Sequence, residues 1–256
     1  MAEVELNKQV VLVTGAGRGL GAEIARAFGR EGAKVIINYF SSKEQAEETA
    51  EEIGANAFAI QADVRDPDSV KEMFRKAKEH FGRPVTTIVN NALVNFTFNG
   101  DERKQLDEIG WADFSEQFEG SIKSTLNTLQ AGRKDMAEQK FGRIINIGTN
   151  LFQHPVVPYH DYNTSKAALL SMTRNMAKEL GPDGIHVNMV SGGLLEKTDA
   201  SAATPDAVFD IIREGTPLGK VTTPAELADA VLFFASPWSR SVTGQNLIVD
   251  GGLVMN

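Results

Sequence analysis

The sequence predicts an α/β fold, a doubly wound parallel sheet with helices on both faces, on three observations. β-branched apolar runs alternate with amphipathic segments from Gln9 to about Asp250, a pattern that builds parallel strands joined by crossover helices. The first of these runs feeds directly into a glycine-rich turn. No linker rich in Pro, Ser or Gly and no short repeat interrupts the order, so residues 1–256 are expected to form a single domain.

Local signals justify each element in turn. Gln9–Thr14 reads as a fully buried strand because Val-Val-Leu-Val has no polar alternation, and a helix from about Leu20 to Arg30 follows the turn. Val35–Tyr39 repeats the strand pattern, Ser42–Ile53 the helix pattern with Ser41 or Ser42 as N-cap, and Ala57–Gln61 gives a third strand. This βαβαβ unit is half of a doubly wound sheet. Asp66 caps and Pro67 opens a helix over Pro67–Phe81, before a strand at Thr86–Asn90. A long helix near Asp113–Gln139 precedes the strand Arg143–Gly148. A helix near Tyr162–Leu180 stops at Gly181-Pro182, and a strand runs over Ile185–Val190. Helices near Pro205–Arg213 and Pro224–Ala235 and a last strand, Asn246–Val249, complete the alternation. Two stretches, Leu93–Trp111 and Gly192–Pro217, do not fit it. Both follow strands, so both are expected at the ligand-binding carboxyl edge of the sheet as substrate loops.

Composition excludes several classes of function. Twenty-six Lys plus Arg against 34 Asp plus Glu leave a net charge of −8, which repels polyphosphate backbones, so no nucleic acid partner is expected. With 42% hydrophobic and 23% charged residues, the chain has too much apolar content for general disorder. Zero cysteines remove disulfides, thiolate zinc sites and Cys nucleophiles, and suit a reducing cytoplasm. His80, His154, His160 and His186 show no close metal-ligand spacing, so no metal is expected and each is read as a surface or loop residue. Met1–Asn7 lacks signal-peptide character and no apolar stretch approaches about 18 residues; no membrane association is expected.

After the first strand the chain reads Thr14-Gly15-Ala16-Gly17-Arg18-Gly19-Leu20-Gly21. Glycines at 15, 19 and 21 allow a tight turn, close approach of a pyrophosphate and close packing of the next helix, whose N-terminal amides attract the anion. Between the first strand and first helix of a βαβ unit, this is the pattern of a Rossmann-type dinucleotide site. An acidic residue at the end of the second strand would bind a ribose 2′-hydroxyl and repel a 2′-phosphate. Here the run is Asn38-Tyr39-Phe40-Ser41-Ser42-Lys43, with no carboxylate. Arg18 is placed to reach the adenosine ribose, and Ser41 and Ser42 add hydroxyls, so NADP(H) is the expected cofactor. Lys43 reads equally as a phosphate ligand or a solvated charge.

Tyr162 and Lys166 stand four apart at the start of a helix, on one face. A free tyrosine titrates near pH ~10, so proton exchange at neutral pH requires the neighbouring cation to favour the phenolate.

Thr14-Gly15 with Gly19 and Gly21, Asp63-Val64, Asn90-Asn91-Ala92, Tyr162 with Lys166, and Val242-Thr243-Gly244-Gln245 through Val249-Asp250-Gly251-Gly252 follow one another in an order that resembles the short-chain dehydrogenase/reductase family. The likeness spans nearly the whole chain and is nearest to members called 3-oxoacyl-[acyl-carrier-protein] reductases. It implies hydride transfer between a nicotinamide and a carbonyl or alcohol carbon, with Tyr162 as acid/base and Lys166 on the ribose hydroxyls. It also implies that Asp63, Val64, Asn91, Ala92 and Gly192 touch the cofactor. A hydroxyl residue thirteen positions before the tyrosine polarises the carbonyl in this pattern, which gives Thr149, where serine is usual. Ser121 falls where an asparagine helps hold a proton-relay water through its backbone carbonyl. The resemblance further implies a homotetramer built through the long helix and the tyrosine-bearing helix. Leu93 replaces a glycine and Ser191 a proline of the pattern. The segment after Gly192 is longer than usual, so Thr198 is not assigned to the nicotinamide amide.

The expected substrate is a small-molecule or acyl-thioester carbonyl compound. Lys140 matches a basic carrier-docking position of the reductases, but Asp183 occupies the second with the opposite sign. Phe96, Phe98, Trp111, Leu194, Leu195 and Phe209 read either as pocket lining or as loop anchors. The alternative to a carbonyl reductase is a catalytically weakened NADPH-binding regulatory or interaction protein. Leu93, Ser121 and Ser191 keep it open, while Tyr162, Lys166 and Thr149 favour the enzyme.

Overall fold

A computed structural model describes residues 4–196, 198 and 200–255. Seven parallel strands form one sheet: β1 (Val10–Val13), β2 (Lys34–Tyr39), β3 (Ala57–Gln61), β4 (Thr87–Asn90), β5 (Gly142–Thr149), β6 (Ile185–Gly192) and β7 (Asn246–Val249), in the order β3-β2-β1-β4-β5-β6-β7. The helices between them are α1 (Gly19–Arg30), α2 (Lys43–Ile53), α3 (Pro67–Phe81), α4 (Trp111–Phe118), α5 (Ser124–Gln139), α6 (His160–Leu180), α7 (Asp206–Gly215) and α8 (Pro224–Ala235). The period-2 alternation of a strand divides the core. Val11 and Val13 pack under α1 and α8 with Ile24, Phe28 and Val231, while Val10 and Leu12 pack under α3 and α5 with Met73 and Met136.

The caps follow the sequence. Asp66 accepts the Asp68 amide at 3.0 Å ahead of Pro67, and Gly82 ends α3 in the left-handed region. Thr223 and Glu226 form a reciprocal capping box on α8. Ser42 holds the N-cap position of α2, but its side chain makes no capping bond.

Three elements differ from expectation. The long helix starts at Trp111, where the Asp113 carboxylate accepts the Gly110 amide at 2.9 Å, and a π-turn over Glu119–Lys123 divides it. Inside that turn the Ser124 hydroxyl bonds the Gly120 carbonyl, a side-chain intrusion into the helical ladder of the kind that bends helices. Strand β6 runs on to Gly192, with Ser191 opposite Ile248. Serine keeps the amide that proline would lack, and its hydroxyl donates to Asn246 at 2.7 Å.

His186 is the third difference. It is 5% exposed on β6, directly opposite Arg143 of β5, and not a surface residue. Burial, aided by the Arg143 charge, lowers its pKa to about 4. The unfolded chain therefore binds the extra proton first as pH falls, and stability is lost between the ordinary histidine value and about 4. The expected loss is about 3 kcal/mol. Urea unfolding across that window checks it: His186→Gln should flatten the slope, and an unchanged slope would assign the acid sensitivity to other groups.

Candidate active site

The chain winds outward from β1 to β3 and then returns to β4 on the other side of β1. That reversal opens a crevice at the carboxyl ends of β1 and β4. Thr14 closes its floor: its Oγ1 accepts the amides of Asn91 and Ala92 at 3.0 and 3.1 Å. Asn91 in turn donates to the carbonyls of Thr14 and Gly15 at 3.0 and 3.2 Å. The glycine turn is thus tied to β4 on one side. On the other, Asn38 at the end of β2 accepts the Gly15 amide at 3.2 Å and, through its carbonyl, the Ala16 amide at 2.8 Å.

Gly21 and Gly19 show two reasons why this turn needs glycine. A Cβ on Gly21 would fall 2.4 Å from the Gly15 carbonyl oxygen, so α1 packs on its own entry turn only without a side chain. Gly19 has φ +55°, and a Cβ there would meet only Thr198, at 3.9 Å; it would project into open cleft. Bare backbone at the start of α1, facing free space, fits a pyrophosphate.

One cleft of about 710 Å³ runs from this turn to the end of β5. It is lined by Gly15, Arg18, Gly19, Leu20, Gly21, Ser41, Ser42, Asp63, Val64, Asn91, Ala92, Thr149, Tyr162, Lys166 and Gly192. Ser121 alone of the expected site residues does not line it. Lys43 does not line it either; its ammonium lies 3.7 Å from Glu47 of α2, as a solvated charge would. Arg65 is an addition that sequence reading missed. It holds Asp63 through a forked contact at 2.9 and 2.8 Å, which keeps the Asp63 carboxyl below its usual range. Its guanidinium also lies 5.6 Å from the Phe40 ring centre. Asp63-Val64-Arg65 carries the signal for this pairing, since two neighbours of opposite charge flank one apolar residue.

The chemistry-bearing groups meet at the other end. Thr149 is the last residue of β5 and Tyr162 lies in the first turn of α6. The Thr149 hydroxyl accepts the Leu151 amide at 3.2 Å, so it caps the turn, and it lies close enough to the Tyr162 phenol to favour its charged form. Lys166 is 4% exposed and donates to the Ile147 carbonyl at 2.8 Å. Its ammonium sits 5.8 Å from the Tyr162 ring centre. Burial lowers Lys166 to about 8 and pushes the Tyr162 phenol up. Desolvation is the dominant influence on the phenol, and Thr149 is the one that lowers it.

Ser121 is buried in the π-turn, with its hydroxyl 3.4 Å from that of Ser165, the residue before Lys166. The two loops meet above Tyr162, where Phe96 stacks on its ring at 4.6 Å and Thr204 donates to the Phe98 carbonyl at 3.0 Å. Leu194 and Leu195 also line the cleft. Trp111 and Phe209 do not. Trp111 is 77% exposed and stacks on Phe114, while Phe209 is buried in α7, whose Val208 and Ile212 do line the cleft. Lys140 lies 3.5 Å from Asp183, so the two positions of opposite sign neutralise each other. Residues 197 and 199 of the second loop lie outside the described residues.

Comparison with known proteins agrees with this geometry. Residues 15–254 match the family described as Enoyl-(Acyl carrier protein) reductase. The chain is 34% identical over 253 residues to the 3-oxoacyl-[acyl-carrier-protein] reductase FabG of Staphylococcus epidermidis, covering 98% of this chain and all of that one. It is also 34% identical to versicolorin reductase of Emericella nidulans, with 96% of each chain covered. A crystal structure of a putative gluconate dehydrogenase from Agrobacterium tumefaciens superposes with a TM-score of 0.89 at 28% identity, over 98% of both chains. A Rossmann-type sheet, a glycine turn at its switch point, and threonine, tyrosine and lysine gathered at the end of β5 and start of α6 carry the same conclusion: the chain belongs to the short-chain dehydrogenase/reductase family, oxidoreductases that use a nicotinamide cofactor.

Proposed function

We propose that this chain is an NADPH-dependent oxidoreductase that interconverts a carbonyl and a secondary alcohol. The observation that carries the reading is that Thr149, Tyr162 and Lys166 line the same cleft as the glycine turn. The cofactor, when bound, supplies the hydride. In reduction, Thr149 donates to the carbonyl oxygen and Tyr162 delivers its proton there. Burial keeps the phenol protonated, which suits an acid. Lys166, tied at Nζ to Ile147, holds the ribose hydroxyls and supplies positive charge near the phenolate left behind. Ser121 acts one layer further back, setting α6 through Ser165 and offering the π-turn backbone to the relay. An acyl thioester, as in the name of the FabG relative, is one carbonyl substrate of this class.

Gly15, Gly19, Leu20 and Gly21 take the pyrophosphate, with Asn91, Ala92 and Gly192 along the cofactor's length and Asp63 and Val64 at its base. Arg18, Ser41 and Ser42 line the end next to β2, where no carboxylate follows Tyr39. Arg18→Ala is expected to weaken NADPH at least about tenfold and NADH far less, because the lost charge-assisted contact concerns only the 2′-phosphate. Fluorescence titration of both cofactors measures it. Equal losses, or a wild-type preference for NADH, would contradict the assignment.

The same proposal includes one domain, a cytoplasmic location and a homotetramer. Among the described residues no helix is long and apolar enough to cross a membrane. Leu126 of α5 is 37% exposed, and Ala167, Leu170 and Met172 of α6 are only partly covered or open. Symmetric pairing through α5 and α6 would bury these side chains and brace the Tyr162 helix. Light scattering at micromolar concentration is expected to give a multiple of 27.8 kDa; fully active monomer would refute it.

A further inference from the structure

Loop 93–110 lays a layer of rings over Tyr162. Phe96 stacks on it at 4.6 Å with the planes 27° apart, Phe98 meets it edge-on at 5.5 Å, and Tyr159 stands perpendicular to Phe96 at 5.1 Å. All four rings line the cleft. The layer is tied at both ends. Arg103 donates to the two oxygens of Asp161 at 2.7 and 2.6 Å, and its guanidinium lies 4.3 Å from the Phe96 ring centre. Asp161 is buried immediately before Tyr162, so this pair is shielded from solvent in a way surface pairs are not. At the other end the Thr204 hydroxyl holds the Phe98 carbonyl.

We propose that Phe96, Phe98 and Tyr159 select a neutral carbonyl compound borne on a flat ring, an aryl or conjugated cyclic ketone free in solution, and that Arg103 is the positioning residue that sets the layer. The proposal rests on reading Tyr162 as the acid/base. Ring faces and edges beside the phenol complement a flat π surface through offset and edge-to-face contacts. Arg103, whose guanidinium lies against Phe96, is neutralised by Asp161, so among the described residues packed on these rings no unpaired charge favours a carboxylate or phosphate. A carrier-bound substrate is disfavoured by the outer surface: the chain carries −8, the sign of an acidic carrier, and Lys140 is neutralised by Asp183.

Steady-state kinetics with NADPH tests this by comparing a free aryl ketone with a linear 3-oxoacyl thioester of similar size. The wild type is expected to favour the aryl ketone at least about tenfold in kcat/KM. Phe96→Leu keeps an apolar side chain but removes the ring, and should erase most of the preference through KM for the aryl ketone. Arg103→Met should lower the same ratio, and Arg103→Lys should restore part of it. Titration calorimetry with the corresponding aryl alcohol gives a reading independent of turnover, with affinity about tenfold weaker in Phe96→Leu. An equal or greater kcat/KM for the linear thioester overturns the proposal and leaves the acid/base reading standing. So does a ratio unchanged in a Phe96→Leu protein that melts like wild type. If neither compound is reduced, calorimetry decides the ring layer, and failure of the aryl alcohol to bind overturns the proposal while the acid/base reading rests on the wider range of carbonyl compounds.

Discussion

Replacing Tyr162 with phenylalanine is expected to lower turnover at least about a hundredfold, since a positioned general acid typically contributes 10²–10⁴. The side chain is 6% exposed and packed between Phe96 and Phe98, so the ring alone keeps the shape of the site. What is lost is the hydroxyl and the proton it delivers. Tyr159 lines the cleft but lies 6.4 Å away, ring centre to ring centre. Burying a hydroxyl costs more than burying a methine, so the variant should melt no lower than wild type. Titration of NADPH fluorescence should show unchanged affinity. A Tyr162→Phe protein that reduces carbonyl compounds at the wild-type rate would remove this residue from the chemistry.

Thr149→Val is expected to cost about 10²–10³ in kcat, the range for removing one donor aimed at a developing oxyanion. Valine matches threonine in shape and χ1 preference, so the pocket is preserved. The Leu151 amide loses its acceptor as well, at a stability cost of about 1 kcal/mol, which a thermal melt separates from the kinetic effect. Thr149→Ser retains the hydroxyl and its bond to the Leu151 amide and should keep most of the turnover while admitting bulkier ketones, because the methyl that narrows the pocket is gone. Full activity in Thr149→Val would mean that another group polarises the carbonyl.

The fold was legible because its signals are local. Pro67–Phe81, Pro224–Ala235, Ala57–Gln61 and Asn246–Val249 begin and end in the structure where capping residues, turn glycines and apolar runs predict. The site was legible where its residues are carried by the backbone of those elements: the glycine turn on α1, Tyr162 and Lys166 one helical turn apart, Thr149 at the end of β5. What escaped depends on side chains far apart in sequence. Arg103 and Asp161 are separated by 58 positions, and neither carries a local sign of the other. His186 escaped because a lone histidine in an apolar strand reads like any polar interruption; only its burial opposite Arg143 shows that it stays neutral. The kink at Ser121 came only from the resemblance, because Glu119–Lys123 keeps helical spacing and the intrusion of Ser124 appears only in three dimensions. Trp111 was left open between pocket wall and loop anchor, because bulk alone does not say which way a ring faces; α4 presents it to solvent.

The most direct measurement follows NADPH absorbance in purified protein across free ketones, diketones, aldehydes and acyl thioesters, with chemical analysis of the alcohol formed. The account predicts that at least one carbonyl compound is consumed with one NADPH oxidised per alcohol produced, and that Tyr162→Phe abolishes nearly all of it. Tight NADPH binding with no turnover of any carbonyl compound would contradict the account and leave the chain a cofactor-binding protein with a silent site.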